Sequence, residues 1–451
     1  MPRDGLRRLR EAVSKRGAAS AFVGANTQTC RGCPPLNLTF ITMRIKDCVL
    51  KYLEHDVWLH HTASSYKVRM NAEAVAVLES MAERRSTAEM TEKEKFIYDK
   101  LAAKGIAGAD TGLAGDRRLP AKKKSLLDLV ELEFSGRCNL RCAHCFAALS
   151  QKDIDPGMLE KIFSGIDALE PVNLVVSGGE PLLNPLLPET LRNARARDMR
   201  VFVMTNATLA DEKTADMFAQ YGVAKTIVSL DFFKDTHDII RGTGAFEKAL
   251  SGIKTFVKQK VPVFITAMVQ DSTYGRVKEF QEFCLGELGA SGVSFSSVSP
   301  IGKAKDASSG LQLSTANAKD LFNKGLLSGG DENADVFTRL AGSRSFYCNA
   351  GIGQCFISAD GKVYACHYFQ NIGEEMGDLA LEPLEKIYRK YTASGAVAVA
   401  YDWDKLEKCR TCAHFAECRG GCRARARILD GGWHVPDSFS CALYGIEQDK
   451  I

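Results

Sequence analysis

The feature that most restricts the fold of this chain is a regular alternation of strand-like and helix-like segments between Leu126 and Pro300. Short aliphatic and β-branched runs are separated by longer stretches whose apolar residues recur at helical spacing, as Leu159, Ile162 and Ile166 do. The alternation predicts an α/β fold with a parallel sheet, because parallel neighbours need crossover connections. The pattern itself fits both a doubly wound sheet and a barrel. The six predicted strands are Leu127–Phe134, Val172–Val176, Val201–Thr205, Thr226–Leu230, Val261–Val269 and Gly292–Val298.

Three cysteines follow the first predicted strand at the spacing C-x3-C-x2-C, as Cys138, Cys142 and Cys145. They supply three thiolates, whereas a closed [4Fe–4S] site takes four. A cluster held by these cysteines would keep one iron open to an outside ligand. The motif lies after the carboxyl end of a strand, which is where the functional residues of parallel barrels collect.

The segment Cys138–Cys145 closely resembles the cluster motif of the radical S-adenosylmethionine (radical SAM) enzymes. The resemblance implies that the open iron chelates the amino and carboxylate groups of S-adenosylmethionine (AdoMet). It also implies that one electron from the cluster releases a 5′-deoxyadenosyl radical. His144 occupies the position where the family places a ring near the adenine. The resemblance favours the partial (βα)6 barrel of this family over a doubly wound sheet.

Further parts of the resemblance follow the later strands. The segment Gly178–Pro181 matches the family's GGE element, which implies that Glu180 accepts a hydrogen bond from the AdoMet amino group. By the same resemblance, Ser229 and Asp231 lie near the ribose and carboxylate of AdoMet, and Arg241 assists them. Strand-end capping and turn formation are the alternative roles for these residues. The residues expected to contact AdoMet are His144, Gly178, Gly179, Glu180, Pro181, Asn206, Ser229, Asp231 and Arg241.

A second concentration of cysteines lies between Cys348 and Cys441, which contains eight of the 15 cysteines in the chain. The first 25 residues are basic and Ala-rich, without the apolar middle of a signal peptide. Clustered cysteines in such a chain fit metal ligation in a reducing cytosol better than disulfides, so we expect a cytoplasmic protein. Taken alone, the spacing from Cys409 to Cys422 also fits a structural zinc site.

The eight cysteines as a set resemble the SPASM domain, an iron–sulfur extension of some radical SAM enzymes. The resemblance implies two complete four-cysteine clusters beside the open-iron cluster, which gives three [4Fe–4S] clusters in all. The expected ligands of the nearer auxiliary cluster are Cys348, Cys355, Cys366 and Cys422. The expected ligands of the farther auxiliary cluster are Cys409, Cys412, Cys418 and Cys441.

The residue after Cys366 distinguishes this chain from one branch of the family. In sulfatase maturases an aspartate commonly follows this cysteine and acts as a base, whereas this chain has His367. A histidine also accepts a proton near neutral pH, but the mismatch argues against sulfatase maturation. His367, Tyr347 and Asp360 are the candidates for substrate chemistry, with packing or surface roles as the alternative.

Residues 43–118 are predicted to form a small α+β domain ahead of the barrel. Strands followed by helices resemble the winged-helix peptide-recognition domain of enzymes that modify ribosomally made peptides. The resemblance implies that a leader peptide binds as an added strand, and a plain scaffold domain is the alternative. The predicted elements are the strands Val49–Leu53, Val57–His61 and Tyr66–Met70 and the helices Ala72–Ala82 and Thr87–Lys104.

The remaining domain boundaries follow from these motifs. Residues 125–300 are the predicted barrel, 301–347 a linker and 348–451 the SPASM domain. Residues 1–42 are either a disordered extension or a misassigned start, with Met43 as the true first residue. The net charge of +4 is too small to indicate a nucleic-acid partner. No apolar run approaches the roughly 20 residues of a membrane span.

Together these features predict a radical SAM peptide maturase. It would generate a 5′-deoxyadenosyl radical from AdoMet, abstract hydrogen from a ribosomally made precursor peptide, and form a thioether or carbon–carbon crosslink. The expected partners are that peptide and a flavodoxin- or ferredoxin-type reductant. One alternative is a radical SAM/SPASM enzyme acting on a small molecule or tetrapyrrole precursor. The other is a non-catalytic iron–sulfur electron-transfer protein.

Overall fold

A computed structural model divides the chain into two units, residues 1–125 and 126–451. It describes residues 48–52, 57–61, 67–70, 91, 92, 95, 96, 99, 125 and 127–446, the last range without 306–310, 327–347, 349 and 395–402. Among the helices of these described residues, none is long and apolar enough to cross a membrane.

The first unit contains an antiparallel sheet of three strands in the order β1-β2-β3. Leu50 pairs with Leu59, which in turn pairs with Val68. These strands agree with the predicted hairpin and third strand to within one residue. The predicted helix Ala72–Ala82 and most of Thr87–Lys104 lie outside the described residues. The strands are β1 (Cys48–Tyr52), β2 (Val57–His61) and β3 (Lys67–Met70).

The second unit is built on six consecutive parallel strands, β4 to β9, each paired with the next. All six predicted strands are present with ends that differ by at most two residues, and the predicted α/β class is confirmed. The carboxyl ends of the strands therefore lie along one edge, where the loops carrying the predicted motifs begin. The strands are β4 (Leu129–Ser135), β5 (Asn173–Gly178), β6 (Arg200–Thr205), β7 (Lys225–Ser229), β8 (Val263–Val269) and β9 (Gly292–Ser297).

Helices follow the strands and cover the outer face of the sheet. The first of them begins after Asp155, whose carboxylate accepts a hydrogen bond from Met158 N at 2.8 Å. It buries Ile162 and Ile166 against the sheet, as the helical spacing of these residues predicts. The helices of the barrel region are α1 (Pro156–Leu169), α2 (Leu187–Ala196), α3 (Glu212–Tyr221), α4 (Lys234–Arg241), α5 (Ala245–Lys258), α6 (Val277–Glu282) and α7 (Thr315–Asn323).

The first barrel strand, β4, separates an apolar face from a polar one. Val130, Leu132 and Phe134 are fully buried in the apolar core. Glu131 and Glu133 point to the opposite face because successive residues of a strand alternate. Glu133 is satisfied there by the backbone N–H groups of Ser150 and Ala359 at 2.7 and 3.1 Å. The polar face of this strand therefore contacts both the cysteine loop and the C-terminal region.

The C-terminal cysteine region extends the barrel sheet. Its strand β10 (Gln354–Ile357) pairs in parallel with β4, and Gln354 lies opposite Leu129. Two antiparallel strands complete a nine-stranded sheet, β11 (Lys362–Tyr364) and β12 (Glu375–Asp378). The helices of this region are α8 (His367–Gln370), α9 (Leu384–Ala393), α10 (Glu407–Arg410), α11 (Phe415–Cys418), α12 (Arg423–Leu429) and α13 (Ser438–Leu443).

Candidate active site

The cysteine loop after β4 is attached to the loops and helices of later strands. Asn139 Oδ1 accepts a hydrogen bond from Asn206 Nδ2, beyond the end of β6, at 2.9 Å. Ala143 N donates to the carbonyl of Ile240 in α4, also at 2.9 Å. These contacts hold the loop above the carboxyl edge of the sheet. Asn206, expected to contact AdoMet, is thus placed beside the cysteine motif.

The three cysteines of this loop form one group of interacting thiols. Burial raises the pKa of the Cys138 thiol, and the nearby Cys142 and Cys145 raise it further. Burial likewise raises the pKa of Cys142, while Arg241, whose Nη1 lies 3.9 Å from its Sγ, acts in the opposite direction. Three free thiols beside a buried cation fit the donor set of an open-iron cluster. Binding such a cluster would release their protons.

Asp231, just beyond the end of β7, joins several of the predicted site residues. Its Oδ2 accepts hydrogen bonds from Arg241 Nε at 2.7 Å and from His144 Nε2 at 3.0 Å. Its Oδ1 accepts from Met268 N at 2.9 Å. Burial of Asp231 opposes ionisation, but Arg241 and the hydrogen bond from His144 outweigh it and hold the pKa of this carboxyl well below its usual range. Asp231 is therefore a buried anion that orients His144 and Arg241.

His237 supports this arrangement from the other side and was not identified from the sequence. Its Nδ1 accepts a hydrogen bond from Asp231 N at 3.0 Å. Burial, followed by the nearby Arg241, lowers the pKa of His237 to about 4, so the ring is neutral at physiological pH. The only signal in the sequence is a histidine on the buried face of α4, which is also typical of ordinary packing.

The two glycines after β5 allow a close approach between two loops. Gly178 has φ +120°, a conformation that favours glycine. A Cβ atom on Gly179 would lie 2.2 Å from the carbonyl oxygen of Arg137 and 2.9 Å from Cys138 Cβ. Glycine is therefore required where the Gly178–Pro181 segment meets the cysteine loop. Pro181 is buried and begins a short 3-10 turn.

The carboxylate of Glu180 joins the ends of β5 and β6. Its Oε1 accepts hydrogen bonds from Thr205 Oγ1 at 2.7 Å and Leu182 N at 3.1 Å, and its Oε2 accepts from Asn206 N at 2.8 Å. The side chain is fully buried, and burial raises the pKa of Glu180 to about 6 in spite of these bonds. A carboxylate has about four lone-pair sites, and the described residues occupy three of those of Glu180.

Ser229 is the last residue of β7 and is half-buried. Asp360 accepts a hydrogen bond from Ser358 Oγ at 2.5 Å in the turn between β10 and β11. Tyr347 lies outside the described residues.

His367 lies between the two groups of cysteines. It follows Cys366, and its Nδ1 is 3.1 Å from Glu131 Oε2 on the polar face of β4. Its ring centroid is 5.2 Å from that of Phe146, which follows Cys145. This position makes His367 a neighbour of both cysteine groups.

The C-terminal cysteines fall into two neighbourhoods. Burial raises the pKa of Cys366 well above its usual value, and the nearby Cys348 and Cys422 add to this. Cys355 is fully buried on β10, with Glu131 as a charged neighbour, and burial raises its pKa to about 12. The first neighbourhood thus contains cysteines expected for the nearer auxiliary cluster.

The second neighbourhood contains the four cysteines expected for the farther auxiliary cluster. Burial raises the pKa of Cys441 to about 12, and the nearby Cys418, Cys409 and Cys412 contribute. Among the described residues, no group of three or more His, Cys, Asp or Glu side chains is placed as ligands of a single metal ion. In a [4Fe–4S] cluster each thiolate binds a different iron, so the donor set of four free thiols fits such a cluster.

Comparison with known proteins identifies both regions. A family model described as the Radical SAM superfamily matches residues 132–284, and the SPASM iron–sulfur cluster-binding domain matches residues 348–413. The chain is 28% identical to the AdoMet-dependent heme synthase of Methanosarcina barkeri over 68% of this chain and 93% of that protein. It is 25% identical to the mycofactocin maturase MftC of Mycobacterium ulcerans over 66% of this chain and 83% of that protein.

The fold is also similar to a solved structure, Streptococcus suis SuiB bound to the precursor peptide SuiA. The TM-score is 0.64 at 14% identity, and the similarity covers 88% of this chain and 99% of that chain. The family matches imply AdoMet and iron–sulfur clusters as cofactors, which for the C-terminal cysteines favours iron–sulfur over the zinc alternative. This chain belongs to the radical SAM superfamily of enzymes and carries a C-terminal SPASM domain.

Proposed function

We propose that this enzyme is a peptide maturase that uses a radical from AdoMet to crosslink a ribosomally made precursor peptide. The observation that carries the proposal is the similarity in fold to SuiB, a protein solved with its precursor peptide, which extends over 88% of this chain. The sequence similarity to the maturase MftC supports it. A thioether or carbon–carbon bond is the product that a hydrogen-abstracting radical and two auxiliary clusters would favour.

The residues around the cysteine loop are proposed to hold and orient AdoMet. When bound, AdoMet and the open-iron cluster supply a 5′-deoxyadenosyl radical. Cys138, Cys142 and Cys145 would hold the cluster, with the attachments of Asn139 and Ala143 fixing the loop. A buried, preorganised polar site restricts the substrate to productive geometries.

The charged residues of the site match the charges of AdoMet. The Glu180 side chain suits the ammonium group, and Arg241, held by Asp231, suits the carboxylate. The guanidinium is oriented on both sides, by Asp231 and by the neighbouring Cys142. His144 is fixed by the same carboxylate, so its ring has one defined position beside the loop.

The polar face of β4 is proposed to line the substrate space. Glu131 accepts a hydrogen bond from Ser177 Oγ at 3.3 Å, and its Oε2 lies 3.1 Å from His367 Nδ1. The pair lies between the cysteine loop and the auxiliary cysteine Cys366, where a peptide residue would be reached from both sides. A flavodoxin- or ferredoxin-type protein is the proposed electron donor.

The sheet of the first unit is the proposed binding place for the precursor peptide. In the described part of this unit the strand order leaves β1 and β3 each paired on one side. An extended peptide can add to such an edge through main-chain hydrogen bonds. Main-chain pairing tolerates varied side chains, which suits recognition of a leader segment.

A second candidate function is the modification of a tetrapyrrole precursor. It is favoured by the 28% identity to the heme synthase of Methanosarcina barkeri, which extends over 93% of that protein. The two candidates share the AdoMet site and differ in the molecule placed between the cysteine groups. Substrate identity therefore separates them, whereas AdoMet cleavage does not.

The test is co-expression of the chain with the nearest short open reading frame, under anaerobic conditions that support iron–sulfur assembly. We expect the peptide to lose the mass of two hydrogen atoms, and the loss to be absent with Cys142→Ala. The matched variant Cys412→Ala should retain AdoMet cleavage and lose the crosslink. An unchanged peptide mass without deuterium uptake, together with AdoMet cleavage, would refute the peptide proposal and direct the search to tetrapyrroles.

A further inference from the structure

A buried ion pair lies between the two neighbourhoods of auxiliary cysteines. Arg425, on α12, contacts Asp437 through Nε at 3.0 Å and through Nη2 at 2.5 Å. The Asp437 side chain is fully buried and that of Arg425 is 13% exposed. The guanidinium is also held by Ser440 Oγ at 2.8 Å and by the Phe439 ring, whose centroid is 4.3 Å away. Four contacts therefore fix a single orientation of this cation.

The carboxylate of Asp437 is hydrogen-bonded to the backbone of Cys422, a cysteine expected for the nearer auxiliary cluster. Asp437 Oδ2 accepts a hydrogen bond from Cys422 N at 2.9 Å, and its backbone carbonyl accepts from Cys441 N at 2.9 Å. Gly421 has φ +78°, and a Cβ atom there would lie 2.4 Å from Asp437 Oδ2. Glycine at this position therefore admits the carboxylate. The pair is part of the ligand loop itself.

Arg425 interacts with the side chains of the nearer set as well as with its loop. The cation and the Cys422 thiol interact electrostatically, and the neighbouring Tyr368 interacts with both. Asp437 is a neighbour of Cys418 and Cys441, which belong to the farther set. Of the pair, the cation is thus a charged neighbour of Cys422, and the anion is a charged neighbour of cysteines in both sets.

Stability alone does not account for a buried pair of this kind. Removing two charges from water costs several kcal/mol per ion, and apolar residues of similar volume are often as stable. The other buried arginine of α12, Arg423, shows the contrast, because it donates to the carbonyls of Trp433 and Val435 at 2.9 and 2.7 Å. Arg423 is held by backbone carbonyls and is also a charged neighbour of Cys409 and Cys422. Arg425 differs in being paired with a single carboxylate, which itself accepts a hydrogen bond from Cys422 N.

We propose that Arg425 raises the reduction potential of the auxiliary cluster ligated by Cys422, with Asp437 holding the guanidinium in position and moderating its effect. The inference rests on the proposed function in that Cys422 is taken to bind an iron–sulfur cluster. Net charge and hydrogen bonding around a cluster set its potential. A fixed cation favours the reduced state, because reduction adds one negative charge. Arg425 is a positioning residue, since it acts through the cluster and its ligand rather than on the substrate.

The test is a redox titration of the full chain with Cys138, Cys142 and Cys145 replaced by alanine, so that only auxiliary clusters titrate. The protein is loaded anaerobically with iron and sulfide and followed by electron paramagnetic resonance during reduction with dithionite. With Arg425→Gln we expect the equilibrium constant for reduction of the cluster ligated by Cys422 to fall about tenfold, which lowers its reduction potential by 59 mV for a one-electron couple. Arg425→Lys, which keeps the charge, should restore most of this change.

Two further variants make the test independent of folding defects. Asp437→Asn should move the same cluster in the opposite direction, toward easier reduction, because it removes the anion and leaves the cation. Arg427→Gln, a more exposed arginine on the same helix, should change neither potential. Equal potentials in Arg425→Gln and the parent, or shifts of the same sign in Arg425→Gln and Asp437→Asn, would overturn the proposal.

Cluster content separates this inference from the proposed function. If Arg425→Gln fails to load, the sign of the shift in Asp437→Asn decides. If the parent protein with all auxiliary cysteines binds no iron and sulfide, the assignment of Cys422 as a cluster ligand fails, and the inference fails with it. Clusters that load and titrate normally, without a response to Arg425, would refute the inference and leave the proposed function intact.

Discussion

Gly179→Ala is the most direct test of how the site is assembled. The added Cβ would lie 2.2 Å from the carbonyl oxygen of Arg137, whereas ordinary contacts begin at 3.4 Å. One of the two loops must therefore move by about 1 Å. The obstacle is backbone, and Cys138 Cβ at 2.9 Å blocks the adjacent direction, so side-chain rotation cannot relieve the contact. A displacement of about 1 Å in a catalytic site costs about 100-fold in rate.

The assay is formation of 5′-deoxyadenosine from AdoMet with dithionite as reductant, expressed per iron–sulfur cluster. We expect Gly179→Ala to be slower by about 100-fold. Gly275→Ala is the matched control, because no atom lies within 4 Å of a Cβ placed there. Cleavage by Gly179→Ala at the control rate, with equal cluster content, would refute the argument that the cysteine loop and the Gly178–Pro181 segment must touch.

Three further substitutions test the rest of the site. The pKa of Glu180 is raised by burial to about 6, so the affinity of the cluster-loaded protein for AdoMet should weaken as pH falls through about 6. Glu180→Gln should bind AdoMet more weakly, and its affinity should not change with pH in this range. The same pH dependence of AdoMet affinity in Glu180→Gln and the parent, measured by equilibrium dialysis, would contradict this. Asp231→Asn leaves Arg241 buried without its anion, a loss of about 3–5 kcal/mol. The thermal unfolding midpoint of Asp231→Asn should fall well below that of Glu212→Gln, which breaks the exposed pair with Lys258. Equal unfolding midpoints would argue against a buried anion at Asp231. Arg423→Ala leaves the carbonyls of Trp433 and Val435 without their donor, so iron per chain should drop, whereas Arg427→Ala should keep it.

The barrel strands and the cysteine loop could be predicted because their signals are local. Apolar runs, such as the one around Val130 and Leu132, report burial within a few residues. The spacing of Cys138, Cys142 and Cys145 reports a ligand set on one loop. Both the apolar runs and the cysteine spacing can be recognised without knowledge of the rest of the chain.

The contacts that complete the site could not be predicted because they join distant segments. Glu180 accepts hydrogen bonds from Thr205 and Asn206, which are about 25 residues away along the chain. No feature of the sequence near Glu180 indicates these two partners. His237 has no feature that distinguishes it from a packed histidine. Lys303, in the predicted linker, donates its backbone N–H to the carbonyl of Cys145 at 2.9 Å. Such pairings depend on tertiary geometry, which residue spacing does not encode.

The pairing of β10 with β4 determines which exchanges between relatives this fold can accept. A recombinant protein that joins one enzyme's barrel to another's cysteine region has to reproduce the alignment of Gln354 with Leu129 along a shared strand edge. A chain cut before β10 would present the bare edge of β4 to other chains, which is a route to aggregation. The two regions are therefore expected to be inherited, and to be engineered, as a single cassette.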